Sequence, residues 1–458
     1  MNTLQQFLLK FCIEYYYDEL IIVQHIQEHK NISIDILFRT NTNRVFMLHV
    51  VQWVFQNNHQ VFCTPYHADI VAYGGYLEVL KWLASPDRGD HQVFCTYRCV
   101  NVVILKGYLE VLKWLMCTRT HNVNIMQMHN NNREADNNQF ICVEDDANGA
   151  AWKGHLDILQ WLASPDRGKY QVFCTSIGAI NAAENGRLDI LKWLASPERG
   201  EHQTFCTSAG AFWAAINGHL DVLKWLSSPE RGEHQVFCNE RGASHAAING
   251  HLHVLKWLAN EERGEHKVFC KHTADLYHCS FGEEMRHKCI TENGHLHVLQ
   301  WITSPERGED QVTCTHHDAI MAAKNGHLHI LKWLHSKHVF CTEDGADNAA
   351  KNGRLDILKW LSSPERGEHQ VFCTSAGAAN AAWNGHLHVL QWLASPDRGK
   401  YQVFCTKNTN DAIVVACELY KCMRQTYNVE DNNVEMSKLL ETIQWLQAHN
   451  SYNNITTR

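Results

Sequence analysis

A frame of apolar and polar positions recurs along most of this 458-residue chain. One clear copy reads Gly-His-Leu-Asp-Val-Leu-Lys-Trp-Leu at residues 218–226. Its apolar residues fall at helical spacing, which predicts an amphipathic helix with one buried side. A fixed period of about 20 to about 50 residues is typical of stacked repeats rather than of one globular core. The Trp recurs twelve times, most often 32 residues after the preceding copy, at Trp53, Trp82, Trp114, Trp161, Trp193, Trp225, Trp257, Trp301, Trp333, Trp360, Trp392 and Trp445.

Each repeat also contains an earlier predicted helix. In the copy at residues 373–404, a Thr-Ser pair can cap this first helix, and Gly385 can end it in a left-handed conformation. The second helix follows and stops at Pro396. Paired alanines in the first helix, such as Ala381 and Ala382, allow two helices to approach closely. Because a lone helix pair has too little apolar surface to bury, each repeat needs its neighbours. We therefore predict an all-α solenoid of helix–turn–helix units.

The Gly-His-Leu-X-Val-Leu-Lys-Trp-Leu frame, preceded by Ala-Ala-X-Asn, resembles the ankyrin repeat. It is most similar to the divergent ankyrin-repeat proteins of large DNA viruses of amoebae, and the resemblance covers residues 61–405. It implies an ankyrin-like α-solenoid whose concave face holds a partner protein. The Thr-Pro-Leu-His start of the family's first helix is missing here, and Ser-Pro-Glu-Arg-Gly-Glu-His is added after the second helix. We therefore expect irregular, solvated loops in place of the family's β-hairpins.

The frame also predicts the organisation of the chain. The repeat array is expected over residues 63–404, with insertions near 118–141 and 271–290. Residues 1–62 fit the frame loosely and are interpreted as degenerate N-terminal capping units. Residues 405–458 are interpreted as a degenerate C-terminal capping unit with a polar tail. Terminal units of solenoids are expected to be atypical, because one of their faces meets water.

The repeats vary most in the first helix, beside the Ala-Ala pair, where an ankyrin-like solenoid binds its partner. The candidate partner-binding residues are Phe212, Trp213, Ile216, His245, Ile248, Met321, Lys324, Asn348, Lys351 and Trp383. Exposed aromatic residues among alanines suit hot-spot recognition of a protein surface. The predicted function is a non-catalytic scaffold, monomeric, that binds one or more protein partners. Packing of Trp213 and Trp383 between repeats is the alternative interpretation.

Composition narrows the function further. A net charge of -8 provides no basic footprint for nucleic acid. The N-terminus lacks the features of a signal peptide, and the longest apolar stretch is too short to span a bilayer, so we expect no membrane association and a cytoplasmic protein. Eleven of the eighteen cysteines fall on the repeat frame. Helix packing distances keep successive copies too far apart for a disulfide, which predicts buried thiols in a reducing compartment.

Three chemical features compete with the scaffold interpretation. A zinc-binding or redox-buffering protein is suggested by six possible ligands, Cys270, His272, His278, Cys279, His287 and Cys289, although they contain no Cys-X2-Cys pair. The pattern of His25, Glu28 and His29 is typical of inverted zinc peptidases but fits a solvated helix face better. A substrate adaptor for a ubiquitin ligase is also conceivable, but residues 411–449 carry no assignable pattern. We expect no cofactor and no enzymatic activity.

Histidines also form a series along the second helices. His253, His297, His329 and His388 stand where equivalent repeats carry Asp157, Asp189, Asp221 and Asp356. The position follows a buried Leu, so it is predicted to be exposed. We expect simple exchange between polar residues there, with a pH-sensitive surface as the alternative.

Overall fold

The computed structural model describes residues 64–126, 142–269, 290–403 and 438–448. These residues are helices and turns, and none of them forms a strand. The predicted all-α fold of helix–turn–helix units is confirmed. The N-terminal capping units at 1–62, most of both insertions and most of the C-terminal segment lie outside the described residues. The first insertion begins as a continuation of a helix that runs from Leu109 to Met126.

The helices alternate between first and second members of each repeat. The first helices are α1 (Pro65–Tyr73), α3 (Cys99–Lys106), α5 (Glu144–Lys153), α7 (Ser176–Glu184), α9 (Ser208–Ile216), α11 (Glu240–Ile248), α14 (His316–Asn325), α16 (Glu343–Lys351) and α18 (Ser375–Trp383). The second helices are α2 (Leu77–Leu83), α4 (Leu109–Met126), α6 (Leu156–Leu162), α8 (Leu188–Leu194), α10 (Leu220–Leu226), α12 (Leu252–Leu258), α13 (Leu296–Ile302), α15 (Leu328–Ser336), α17 (Leu355–Leu361) and α19 (Leu387–Leu393). Residues 438–448 are also helical.

The chain divides into two compact units. The first unit comprises Met1–Ala214 and Lys224–Val236, and the second comprises Ala215–Leu223 and Phe237–Arg458. Within the first unit, α1 packs on α3, α3 on α5 and α5 on α7. Within the second, α14 packs on α16 and α16 on α18. First helices therefore contact their counterparts in adjacent repeats, as stacking requires.

The Ala-Ala pairs form the buried side of the first helices. Ala182 and Ala183 of α7 have no exposed surface, and the same holds for the pairs of α5, α14, α16 and α18. Only methyl groups separate the helices at these positions, so their backbones can come close. The second helices add the larger apolar side chains, such as Ile190 and Leu194 of α8, which are also fully buried. A small-residue layer thus lies beside a large-residue layer in each repeat.

The turns after the second helices are regular, so the expectation of irregular loops was wrong, while their predicted exposure to solvent is confirmed. In the turn Pro197–His202, the Ser196 side chain accepts a hydrogen bond from the Glu198 amide (3.3 Å). Arg199 lies 3.9 Å from the centre of the Trp193 ring, and its Nε donates to the His202 carbonyl (3.2 Å). A planar guanidinium can stack on an indole and still donate from its edge, so one residue fixes the turn against the second helix.

The same arginine–tryptophan contact recurs in both units, over distances of 3.8–4.2 Å. The pairs are Arg88–Trp82, Arg167–Trp161, Arg199–Trp193, Arg231–Trp225, Arg263–Trp257, Arg307–Trp301, Arg366–Trp360 and Arg398–Trp392. Burial lowers the pKa of Arg199, although the ordinary value is so high that the side chain stays charged. The half-buried Trp of the frame therefore lies beneath a stacked guanidinium.

Ring stacking joins five of the described turns to the repeat before them. Phe173 stacks on His202 with the ring centres 3.8 Å apart. The equivalent pairs are Phe205–His234, Phe237–His266, Phe340–His369 and Phe372–Tyr401. Because the two rings of each pair belong to consecutive repeats, the added Ser-Pro-Glu-Arg-Gly-Glu-His segment extends the stacking beyond the helices.

Histidines of the second unit make a further contact between repeats. The Nε2 groups of His253, His297, His329 and His388 donate to the carbonyls of Gly218, Gly250, Gly294 and Gly353, over 2.8–3.2 Å. Each glycine lies in the preceding repeat. The predicted exposure of these four histidines is confirmed. An aspartate has no proton to donate when ionised, so the histidines add a contact that the sequence pattern did not predict.

We predict that Arg199→Ala destabilises α8 locally by about 1–2 kcal/mol, because it removes the stacked cation, its hydrogen bond and the packing of its stem. Hydrogen exchange of the α8 amides measures the loss. Glu198→Ala is the matched control, since that side chain is exposed in the same turn. Equal protection of α8 in the Arg199→Ala and Glu198→Ala variants would contradict the assignment.

We predict that acid weakens the second unit. Burial lowers the pKa of His251, His295 and His386 below the ordinary 6.5. Once the pH falls below that value, the unfolded chain binds more protons than the folded chain, so the stability present near neutrality decreases. Hydrogen exchange of α12 and α19, corrected for the intrinsic pH effect, should accelerate between about pH 7.5 and about pH 5.5.

The control is a variant in which these three histidines become Arg, the residue that Arg187 and Arg354 provide at the same place in other repeats. This variant should lose most of the extra acid sensitivity. If its corrected exchange rates depend on pH as steeply as those of the natural chain, the three histidines are not the cause.

Candidate functional site

The candidate partner-binding residues flank the buried alanines of the first helices. Trp213 precedes the pair in α9 and is 36% exposed, while Trp383 follows the pair in α18 and is 48% exposed. Phe212 is half-buried and meets Trp213 edge to face, with the ring centres 5.4 Å apart. This contact orients the indole of Trp213 and leaves part of its surface accessible.

Two candidates in α11 differ sharply in exposure. Ile248 is only 3% exposed and belongs to the core, so it is corrected from a partner-binding residue to a packing residue. An Ile directly after the Ala-Ala pair is apolar enough to join the buried layer, whereas Trp383 at the same position is too large. His245 is half-buried, and its pKa is lowered by burial and by the nearby charge of Arg241. Ile216, at the end of α9, is half-buried.

The remaining candidates lie on α14 and α16. Met321 and Lys324 are half-buried, and the Nζ of Lys324 lies 3.9 Å from Oε1 of Glu292. Asn348 is half-buried and donates from Nδ2 to the carbonyl of Asp344 (2.8 Å). Lys351 is exposed. Lys351 is therefore the exposed cation among these four candidates, because Lys324 already lies near a carboxylate.

The packing of the helices brings some candidates together. Because α14, α16 and α18 pack in succession, Lys324, Lys351 and Trp383 lie at the same register on consecutive helices. They form what we call the second-unit row. Met321 and Asn348 lie on the same helices as the two lysines, and the other candidates lie on α9 and α11.

The sequence-based set omitted Trp152. This residue follows the Ala-Ala pair of α5, as Trp383 does in α18, and is 40% exposed. Its ring lies 3.7 Å from the Nζ of Lys153. The signal was present in the sequence, because Ala-Ala-Trp occurs in both helices. Trp152, Phe212 and Trp213 are the aromatic residues beside the alanines of the first unit, and we call them the first-unit aromatics.

The repeat cysteines are structural. Cys174 is buried, and its thiol donates to the carbonyl of Ala147 in the preceding repeat (3.3 Å). Burial raises the pKa of Cys174 to about 12, which keeps the thiol protonated and unreactive near neutrality. All ten cysteines that the structure describes are thiols rather than disulfides. Within these residues, the prediction of buried, reduced thiols is confirmed for the repeat positions Cys95, Cys142, Cys174, Cys206, Cys238, Cys341 and Cys373.

Two sequence-based chemical candidates cannot be placed. The possible zinc ligands Cys270, His272, His278, Cys279, His287 and Cys289, and the His25, Glu28 and His29 pattern, lie outside the described residues. Among the helices that the structure does describe, none has the length and hydropathy needed to cross a bilayer.

The comparisons with known proteins agree with the fold. Residues 179–270 match the family model described as ankyrin repeats (3 copies), and residues 318–361 match the one described as ankyrin repeats (many copies). No curated protein matches the chain. Ankyrin repeats generally mediate protein–protein interaction. Residues 179–270 and 318–361 are thus similar to ankyrin repeats in sequence, and the helix pairs described there are consistent with an ankyrin-repeat solenoid.

Proposed function

We propose that the chain is a non-catalytic scaffold that binds protein partners through residues flanking the Ala-Ala pairs of its first helices. The observation that carries the proposal is the exposure of Trp at these positions, from 36% to 48%, on helices whose alanines are fully buried. Each first helix is fixed by its neighbours on one side and offers a variable side chain on the other. Ankyrin repeats generally mediate protein–protein interaction, which supports a binding role.

The first-unit aromatics support the proposal through rigidity. Trp213 is held by Phe212, and Trp152 lies beside Lys153. A Trp whose orientation is already fixed loses little conformational entropy when it binds, and this residue type dominates interface hot spots. The buried alanines beneath keep the helix backbone in place, so the rings are presented from a rigid surface.

The second-unit row has a different chemistry. Lys324 and Lys351 accompany Trp383, while the equivalent position of α11 carries the buried Ile248. An aromatic residue beside the exposed cation Lys351 favours a partner segment that combines an apolar anchor with an acidic side chain. The two units are therefore proposed to differ in what they bind, although their cores are alike.

No described residue favours the adaptor function for a ubiquitin ligase. That alternative depends on residues 411–449, of which the structure describes 438–448 as a helix with Ile443 and Leu446 buried. A helix with buried Ile and Leu is also what a terminal repeat needs to cover the core of its neighbour. A role as a terminal repeat is therefore enough to account for the helix at residues 438–448.

Alanine replacement of exposed tryptophans tests the proposal. We predict that the double variant Trp152→Ala and Trp213→Ala weakens the binding of partners to the first unit. We also predict that Trp383→Ala weakens the binding of partners to the second unit. A hot-spot residue is worth about 2 kcal/mol or more, which corresponds to an about 30-fold loss of affinity. Quantitative affinity capture from the native cell, followed by titration of the recovered partner, measures the change.

Tyr170→Ala is the matched control, since Tyr170 is an aromatic residue of similar exposure (46%) on a turn rather than on a first helix. It should leave capture unchanged. Hydrogen exchange of the first helices should be the same in all variants. Unchanged capture by the Trp variants, or their local unfolding, would contradict the proposal and favour a packing role for these residues.

A further inference from the structure

A buried group of possible metal ligands lies between α1 and the start of α3. The carboxylate of Asp69 and the thiols of Cys95 and Cys99 have one ligand atom each, all within 4.8 Å of one another. Asp69 is 5% exposed, Cys95 is 6% exposed and Cys99 is fully buried. Among the described residues, this is the one group of three or more such side chains that are close enough to hold a metal ion.

Cys99 distinguishes this repeat from the others. The equivalent position, four residues after the frame cysteine, is glycine in five described repeats, such as Gly178 and Gly377, and aspartate in two others, Asp146 and Asp318. A Cβ built at Gly178 would lie 3.0 Å from Sγ of Cys174 and 2.6 Å from Oδ1 of Asn148. A side chain at this position therefore faces the frame thiol and the polar residue of the preceding first helix. In the repeat that begins at Cys95, the side chain placed there is a second thiol.

Asp69 has a structural role that leaves lone pairs for a ligand. Its Oδ1 accepts from the Thr96 amide (2.7 Å), and its Oδ2 accepts from the Thr96 hydroxyl (2.6 Å). Asp347 makes the same two bonds to Thr374 in a repeat that has Cys373 but Gly377. The carboxylate and the first thiol thus recur without a second thiol. Each carboxylate oxygen of Asp69 keeps a further acceptor position.

We propose that Asp69, Cys95 and Cys99 bind one Zn²⁺ ion. Two sulfur ligands and one carboxylate suit zinc and disfavour Mg²⁺ and Ca²⁺, which prefer oxygen ligands. Zn–S bonds of about 2.3 Å and Zn–O bonds of about 2.1 Å place the ligand atoms of a tetrahedral ion about 3.6–3.8 Å apart. The three side chains need only small movements to reach that spacing. A water molecule supplies the fourth ligand.

Binding of the ion changes the protonation of the two thiols. Without it, the hydrogen bond with Cys99 and burial raise the pKa of Cys95 far above the usual range, and burial raises the pKa of Asp69. Binding replaces the two thiol protons, which pass to bulk water, with one divalent cation. The carboxylate and two thiolates then carry three negative charges against two positive ones, and Arg98 lies close enough to lower the pKa of Asp69.

Cobalt titration of the full chain tests the site. With the chain reduced and chelator removed, Co²⁺ should give a thiolate-to-cobalt charge-transfer band, and Zn²⁺ should displace it. Cys99→Gly, which restores the residue found at Gly178, should bind one fewer ion per chain. Asp69→Asn, which introduces the residue type that Asn148 provides in another repeat, keeps an acceptor for Thr96 and should weaken binding by at least about 10-fold.

The controls separate this site from any other in the chain. Cys373→Ala removes a buried frame thiol from a repeat that has Gly377 where the proposed site has Cys99. This variant should therefore bind as many metal ions per chain as the natural protein does. Zn²⁺ should stabilise α1 and α3 against thermal unfolding in the natural chain but not in the Cys99→Gly variant. Hydrogen exchange of the amides of these two helices at increasing temperature measures the effect. Equal cobalt stoichiometry in the natural chain and Cys99→Gly would overturn the proposal, as would absence of binding to the natural chain.

Discussion

The close contact between alanine faces of successive first helices is the constraint on which the rest of the structure depends. Ala182 and Ala183 are fully buried, and their counterparts in other repeats are too. Methyl groups give little hydrophobic free energy each, but they let helix backbones approach and bury the larger side chains of the second helices. Stability therefore arises between repeats more than within them, as expected of a linear array.

The turns add a second set of contacts between repeats. Arg199 lies against Trp193 of its own repeat, and His202 stacks on Phe173 of the repeat before. The Arg of the Ser-Pro-Glu-Arg-Gly-Glu-His segment makes the first contact, and its terminal His, or Tyr401 in another repeat, makes the second. With the turns and alanine faces occupied in this way, the positions beside the Ala-Ala pairs are left to vary, and these are where binding specificity is proposed to reside.

Periodicity made the helix pairs predictable, since the buried Leu and Val positions and the half-buried Trp follow directly from the 3.6-residue helical repeat. Contacts that depend on tertiary stacking were not predictable. The sequence indicates a charged turn at Arg199, but only the fold places its guanidinium on an indole. Ile248 and Trp383 occupy equivalent positions, yet side-chain size buries the first and exposes the second. Trp152 could have been recognised, because its Ala-Ala-Trp sequence is the same as that of Trp383.

The central claim is that a repeat folds only against its neighbours. Circular dichroism and Trp193 fluorescence of an excised peptide, residues 174–205, measure this most directly. The account predicts an unfolded peptide in water, with the solvent-exposed emission of Trp193, because both alanine faces have lost their partners. A peptide with native helicity and a buried Trp193 would contradict it.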